Sequence, residues 1–166
     1  MSDQPLFGRV VLVSGPEALL AERAVERLVR QACAERPSAS VTKVEADDLD
    51  AGGLAEVTGG SLFAEESVVV VQQLSDLDPA LFDAVLAFTA QPSDDLALVL
   101  VPPGGVKGKA LLDKLKKARV EVVDCPTIKA WELPQFAAAE ARLLGGRIDR
   151  STADRLVEAL GSDARA

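Results

Sequence analysis

The sequence predicts an α/β fold: a parallel sheet covered by helices on both faces, followed by a short all-helical segment. Three observations carry that prediction. Five short apolar runs alternate with segments of helical periodicity between Gly8 and Cys125. Those runs are nearly all apolar, as expected of strands buried on both faces. Beyond Cys125 no strand pattern recurs, and two helical patterns follow one another directly. The expected boundaries are 1–128 for the α/β domain and 129–166 for the helical one.

Taken in order, "GRVVLVSG" (Gly8 to Gly15) is an apolar run closed by a turn signal and reads as a central strand. "PEALLAERAVERLVRQACAE" follows, with Ala21, Val25, Leu28, Val29 and Ala32 at helical spacing and Pro16 and Glu17 suited to a first turn. "SVTKVEA" is the second strand. "DDLDAGGLAEVTGG" reads as a loop with a short helix, bounded by Gly59 and Gly60. "SVVVVQQL" is the third strand. Asp78 and Pro79 supply an N-cap and an N1 proline for "DPALFDAVLAFTA". "LALVLVPP" is the fourth strand, stopped by Pro102 and Pro103. "GGVKGKALLDKLKKA" gives a loop and an amphipathic helix, and "RVEVVDC" the fifth strand. The pattern belongs to the Rossmann-like or P-loop-like class.

The helical part comprises "WELPQFAAAEARLLGG" and "RSTADRLVEALGSD". In the second, Ala153, Leu156, Val157 and Leu160 share a face, Ser151 and Asp154 stand as a capping pair, and Gly161 is a natural stop. Two helices cannot bury their apolar faces alone. This part is therefore expected to be the opening of a helical lid that the chain does not complete.

Composition narrows the chemistry. The 166 residues are 48% hydrophobic, ample for a core, yet no apolar run approaches the ~18 residues of a membrane span. The start, "MSDQPLFGR", lacks a signal-peptide pattern, so a cytoplasmic protein is the simple expectation. Histidine is absent, which removes Ser-His-Asp and Cys-His catalysis and the commonest zinc ligand. Cys33 and Cys125 lie far apart in sequence and read as buried free thiols. A net charge of −8 and 4% aromatics argue against a stand-alone nucleic-acid binder. The richness in Ala, Val, Arg and Gly matches the codon bias of a high-GC bacterium.

The first strand–turn–helix is where such a fold would hold a phosphate. A P-loop needs G-x-x-x-x-G-K-[ST], so that backbone N–H groups and a lysine cradle the phosphates and a hydroxyl holds magnesium. Counting from Gly15, the second glycine falls at Leu20, the lysine at Ala21 and the hydroxyl at Glu22. Pro16 lacks an N–H, and Glu17 would repel phosphate. Gln72-Gln73 and Pro102-Pro103, at the ends of two later strands, cannot replace a magnesium-ligating Asp or a water-activating Glu. No cofactor, no metal and no catalytic residue is expected. Asp47 and Asp48 follow the second strand, whereas a receiver-type acid pair usually follows the first; a solvated loop or helix cap is the plainer reading.

Two segments remain. "KGKALLDKLKKAR" carries Lys107, Lys109, Lys114, Lys116, Lys117 and Arg119, a dense positive run in an acidic chain. It is either a solvated helix face or a contact for DNA or an acidic partner. "TGGSLFAEE" places Leu62 and Phe63 after two glycines. The pair either tucks under the sheet or projects on a sharp turn. There each residue could contribute about 1.5–3 kcal/mol in a partner's pocket.

An α/β core without a working P-loop, followed by a helical lid, describes a non-ATPase member of the AAA+ class, with a RecA/P-loop-like sheet. More specifically, "LVSGPEALLAERAVERL", "SLFAEESVVVV", "LALVLVPP" and "LPQFAAAEARLLGGRIDRSTADRLVEALGSDARA" together resemble the delta-subunit family of bacterial DNA polymerase III, in order and across essentially the whole chain. The resemblance implies a clamp-loader subunit without ATPase activity. Such a subunit binds the sliding clamp (the beta subunit) and holds one ring interface open, while gamma/tau and delta prime partners supply ATP control. DNA is met only within the assembled loader, and no membrane is involved. The resemblance places the clamp contact on Ser61, Leu62 and Phe63. Clamp-binding peptides often carry a glutamine before the hydrophobic pair; here Thr58-Gly59-Gly60 stands there, so the Leu-Phe anchor is what carries over. Nucleotidyl transfer by the holoenzyme, a DNA-directed DNA polymerase, would lie in other subunits. The family's third, collar-forming helical domain has no counterpart here. Two other readings compete: a nucleotide-binding α/β enzyme, and a receiver-like signalling domain using Asp47 and Asp48.

Overall fold

The five apolar runs form five strands, β1 (Arg9–Ser14), β2 (Ser40–Glu45), β3 (Ser67–Gln72), β4 (Leu96–Leu100) and β5 (Glu121–Asp124). The computed structural model describes residues 4–58, 66–104, 108–118 and 120–161. All strand pairings are parallel, in the order β2-β3-β4-β1-β5. Position in that order explains composition. Val68 to Val71 of β3 and every residue of β4 are buried, because these strands have neighbours on both edges and helices on both faces. β2 and β5 are edge strands, and they carry the polar residues Thr42, Lys43 and Glu121.

The described residues also form six α-helices. They are α1 (Ala18–Glu35), α2 (Ala51–Thr58), α3 (Phe82–Ala90), α4 (Lys109–Lys117), α5 (Leu133–Leu143) and α6 (Arg150–Leu160). The chain divides into two compact units, one ending at Cys125 and one beginning at Pro126. None of the described helices is long and apolar enough to cross a membrane.

Side-chain alternation along the strands sorts the core into two layers. Val11, Val13, Val68, Val70, Ala97 and Val99 face one side, where Ala24, Val25, Leu28 and Ala32 of α1 cover them together with Leu6 and Phe7. Val10, Leu12, Val69, Val71, Leu98 and Leu100 face the other, against residues of α2, α3 and α4. Valine and leucine dominate the strands because both faces are roofed. Burying each side chain contributes about 1.5–3 kcal/mol. The N-terminal lead-in is held by more than packing. Leu6 N–H donates to Glu35 at 2.8 Å, and the Arg36 guanidinium lies 4.2 Å from the centre of the Phe7 ring.

Three helix starts differ from expectation. α1 begins at Ala18, with Glu17 extended before it (φ −88°, ψ 101°), because the Glu17 N–H is drawn to a neighbouring strand end. Asp78 does cap, accepting from Ala80 N–H at 2.9 Å. The element it caps is a 3-10 turn, Pro79–Leu81, that leads into α3. In the second unit the cap of α6 is Asp149 rather than the Ser151–Asp154 pair. Its carboxylate accepts from Thr152 N–H at 2.7 Å, the N-cap to N3 spacing, which leaves Ser151 inside the first turn. Gly161 ends that helix, as expected. On its predicted apolar face Ala153 is fully buried, whereas Leu156 and Leu160 stay nearly half exposed.

Candidate functional site

In an open parallel sheet ligands gather outside the carboxyl ends of the strands, where connections leave in opposite directions. Here β1 leads through α1 to β2 at one edge, while β4, its neighbour, leads through α4 to β5 at the other. The β1–β4 boundary is therefore the place to look for a phosphate site.

That place is closed by the protein itself. Cys125 N–H donates to Ser14 C=O at 2.9 Å, and Glu17 N–H donates to Cys125 C=O at 3.1 Å. A Cβ on Gly15 would lie 2.0 Å from the Cys125 carbonyl oxygen, so glycine is required by the approach of the β5 end. From the β4 side Gly104 comes so close that its Cβ would sit 3.1 Å from the Cα of Pro16. A phosphate cradle needs a fan of free N–H groups. Pro16 has none, and that of Glu17 is already committed. The strand ends on the other side are stitched likewise: Val101 N–H donates to Val71 C=O at 2.8 Å and Leu74 N–H to Val101 C=O at 3.1 Å. Gln73, between them, adopts a left-handed conformation (φ 51°, ψ 40°). Among the described residues no group of three or more Cys, Asp or Glu side chains could hold a metal.

Cys125 is buried and Cys33 half-buried, and both are free thiols. Burial, reinforced by the neighbouring Asp124 carboxylate and opposed by Arg27, pushes the Cys125 thiol up. Its sulfur is therefore a poor nucleophile. A cavity of about 300 Å³ lies between α2, α3 and the sheet. Its lining is almost entirely apolar, and the Thr58 hydroxyl in it donates to Leu54 C=O at 2.7 Å, leaving no polar handle for a nucleotide.

The sequence-predicted residues fall in different places. Ser61, Leu62 and Phe63 lie outside the described residues, as do Lys107 and Arg119. Lys109, Lys114, Lys116 and Lys117 are exposed on α4, whose opposite face buries Leu111 and Leu115. Lys114 approaches Asp83 at 3.9 Å, both side chains well exposed. Lys114, Lys116 and Lys117 also occupy the last turn of α4, where cations complement the helix dipole. Asp47 and Asp48 sit in a 3-10 turn after β2, the edge strand farthest from β1 and β5. A receiver domain has the strand order 2-1-3-4-5. Here β3 and β4 separate β2 from β1, and the receiver-like reading fails on topology. The same separation sets the sheet apart from the Rossmann order and puts it in the RecA/P-loop-like class.

Sequence reading missed two features. The contact of Cys125 with the Gly15 turn joins residues 110 positions apart, and no local signal announces it. The second is a turn between α5 and α6, "RLLGGRIDR", where Arg142 and Arg147 line a polar concavity. Its arginines were visible in the sequence as a local excess of positive charge.

No protein-family model matches the chain, and no curated protein matches it. Solved structures do. The DNA clamp loader delta protein of Bacillus subtilis superposes with a TM-score of 0.64 at 15% identity, over 96% of this chain and 50% of its own. A DNA polymerase III gamma subunit-related protein of Thermotoga maritima gives 0.54 at 18% identity, over 90% and 53%. A point mutant of RuvB from Thermotoga maritima gives 0.54 at 16% identity, over 88% and 48%. At these identities the likeness is one of fold, and this chain spans about half the length of the structures it matches.

Proposed function

We propose that this chain is a non-catalytic subunit of a bacterial clamp loader, in the manner of the delta subunit of DNA polymerase III. The observation that carries the reading is an ATPase-like sheet whose phosphate turn is filled by its own Cys125 carbonyl. Such a fold retains a role in assembly and partner binding while losing nucleotide chemistry. The fold likeness to a clamp loader delta protein over 96% of the chain supports the same reading, as does the sequence resemblance described above.

In this proposal Ser61, Leu62 and Phe63 form the clamp contact. Leu62 and Phe63 enter an apolar cleft on the sliding clamp. Binding prefers a clamp conformation with a weakened ring interface, so the subunit opens the ring by differential affinity for two clamp states. ATP would be bound and hydrolysed by partner subunits of the gamma/tau type, with delta prime completing the loader, and DNA would be met in that assembly.

The test is clamp binding measured by gel filtration and calorimetry. The wild-type chain is expected to bind a bacterial sliding clamp. Leu62→Ala with Phe63→Ala is expected to weaken binding by at least about a hundredfold, since two buried anchors contribute roughly 3–6 kcal/mol together. Undiminished binding by the double variant would sink the site assignment, and absence of binding by the wild type would sink the clamp reading.

A further inference from the structure

The Leu62–Phe63 segment leads into β3 through an anchored residue. Glu66 stands immediately before β3, and its contacts come from the connection between α1 and β2. One carboxylate oxygen accepts from the Arg36 guanidinium at 3.1 Å and the other from the Ser38 hydroxyl at 3.1 Å. Its backbone C=O accepts from Ser40 N–H at 3.0 Å and from the Ser40 hydroxyl at 3.5 Å. Arg36, the C-cap residue of α1, is itself held. Its N–H donates to Ala32 C=O at 2.9 Å, and its guanidinium lies over the Phe7 ring and also donates to Asp95 at 3.4 Å.

Asp95 in turn immediately precedes β4, and its C=O accepts from Ser67 N–H at 2.9 Å. The cluster therefore ties the amino ends of β2, β3 and β4 together, at the opposite end of the sheet from the closed turn after β1. The Arg36 and Glu66 side chains keep 30% and 28% of their exposure, and ion pairs so exposed contribute little to stability. What the arrangement fixes is position. Both the side chain and the main chain of Glu66 are held, which sets the direction in which the chain enters β3. Phe63 is three residues earlier, so its Cα stays within about 11 Å of that of Glu66 whatever path the chain takes.

We propose that Arg36, assisted by Ser38, is a positioning residue for the clamp contact. By gripping Glu66 it restricts the poses open to Leu62 and Phe63, and so reduces the conformational entropy lost when the pair enters the clamp cleft. Arg36 acts through Glu66 and has no contact of its own with the clamp. The inference rests on the clamp reading above and adds to it the residues that present the anchor.

The experiment is calorimetry of the full chain with a bacterial sliding clamp, comparing variants of the cluster with the wild type. Arg36→Gln and Glu66→Gln should each weaken clamp binding about three- to tenfold while the binding stoichiometry stays that of the wild type, so that the loss lies in affinity and not in the folded fraction. Ser38→Ala should act in the same direction. Because Arg36→Gln and Glu66→Gln open the same contact, the double variant should bind no more weakly than either single one. Arg36→Lys, which keeps a charge opposite Glu66, should fall between the wild type and Arg36→Gln. A direct clamp contact by Glu66 would instead make Glu66→Gln costly and Arg36→Gln harmless, and that pattern would overturn the proposal. So would additive losses in the double variant, or a reduced stoichiometry at unchanged affinity, which marks a merely structural role. Wild-type binding with unchanged affinity in the variants overturns this inference alone, whereas absence of binding by the wild type overturns the clamp reading and this inference with it.

Discussion

At the scale of single residues, Gly15 and Cys125 decide what the β1 turn can do. A methyl at Gly15 would collide with a backbone carbonyl, which cannot rotate away as a side chain can. Gly15→Ala should therefore destabilise the first unit by about 2–3 kcal/mol, read as a lowered urea midpoint at unchanged slope. Cys125 should resist iodoacetamide at pH 8 far longer than the half-buried Cys33, because its thiol is buried and its ionisation is suppressed. A raised thiol pKa in the fold contributes stability below the unfolded thiol's value and loses it as pH rises through the folded one. Cys125→Ser should alter that alkaline limb. Asp149 has the opposite sign. Its carboxyl is held low by the Thr152 N–H, so the cap stabilises α6 above the unfolded carboxyl's value and is lost as pH falls through the folded one. Helicity of Asp149→Asn, followed by circular dichroism on acidification, should lack that component.

Secondary elements show where sequence periodicity speaks clearly and where it stops. α4 was legible because Leu111 and Leu115 recur at helical spacing and are buried, while the lysines between them are exposed. Leu115 is fully buried, and Leu115→Ala should cost about 2–5 kcal/mol of stability. The lysine face has a second reading that stability cannot test. If Lys114, Lys116 and Lys117 meet DNA in an assembled loader, replacing them with glutamine should flatten the salt dependence of clamp loading. An unchanged slope would leave them as partners of the helix dipole. Capping was less legible than helix existence. Asp149, Ser151 and Asp154 are all good cap residues within six positions, and only the extended backbone at Asp149 (φ −79°, ψ 170°) selects among them.

For the whole molecule, strand order is the property that separates the competing functions. The order β2-β3-β4-β1-β5 excludes a receiver domain. The closed turn after β1 then argues against nucleotide binding. Isothermal titration with ATP and magnesium is expected to give no heat of binding, and micromolar affinity would revive the enzyme reading. In the second unit, Leu143, Leu144, Leu156 and Leu160 remain substantially exposed across two helices.

The sequence by itself determined the element order and the parallel, doubly covered sheet, because both rest on local periodicity and on apolar runs that only a roofed strand tolerates. It also showed that the lysine and hydroxyl of a P-loop are missing, since those are residue identities at fixed spacing. Tertiary structure alone decided which strands are neighbours and what packs against the turn after β1. Both depend on contacts between distant residues, as when the Cys125 carbonyl reaches the Gly15 turn, and packing sets such contacts without a repeating pattern along the chain.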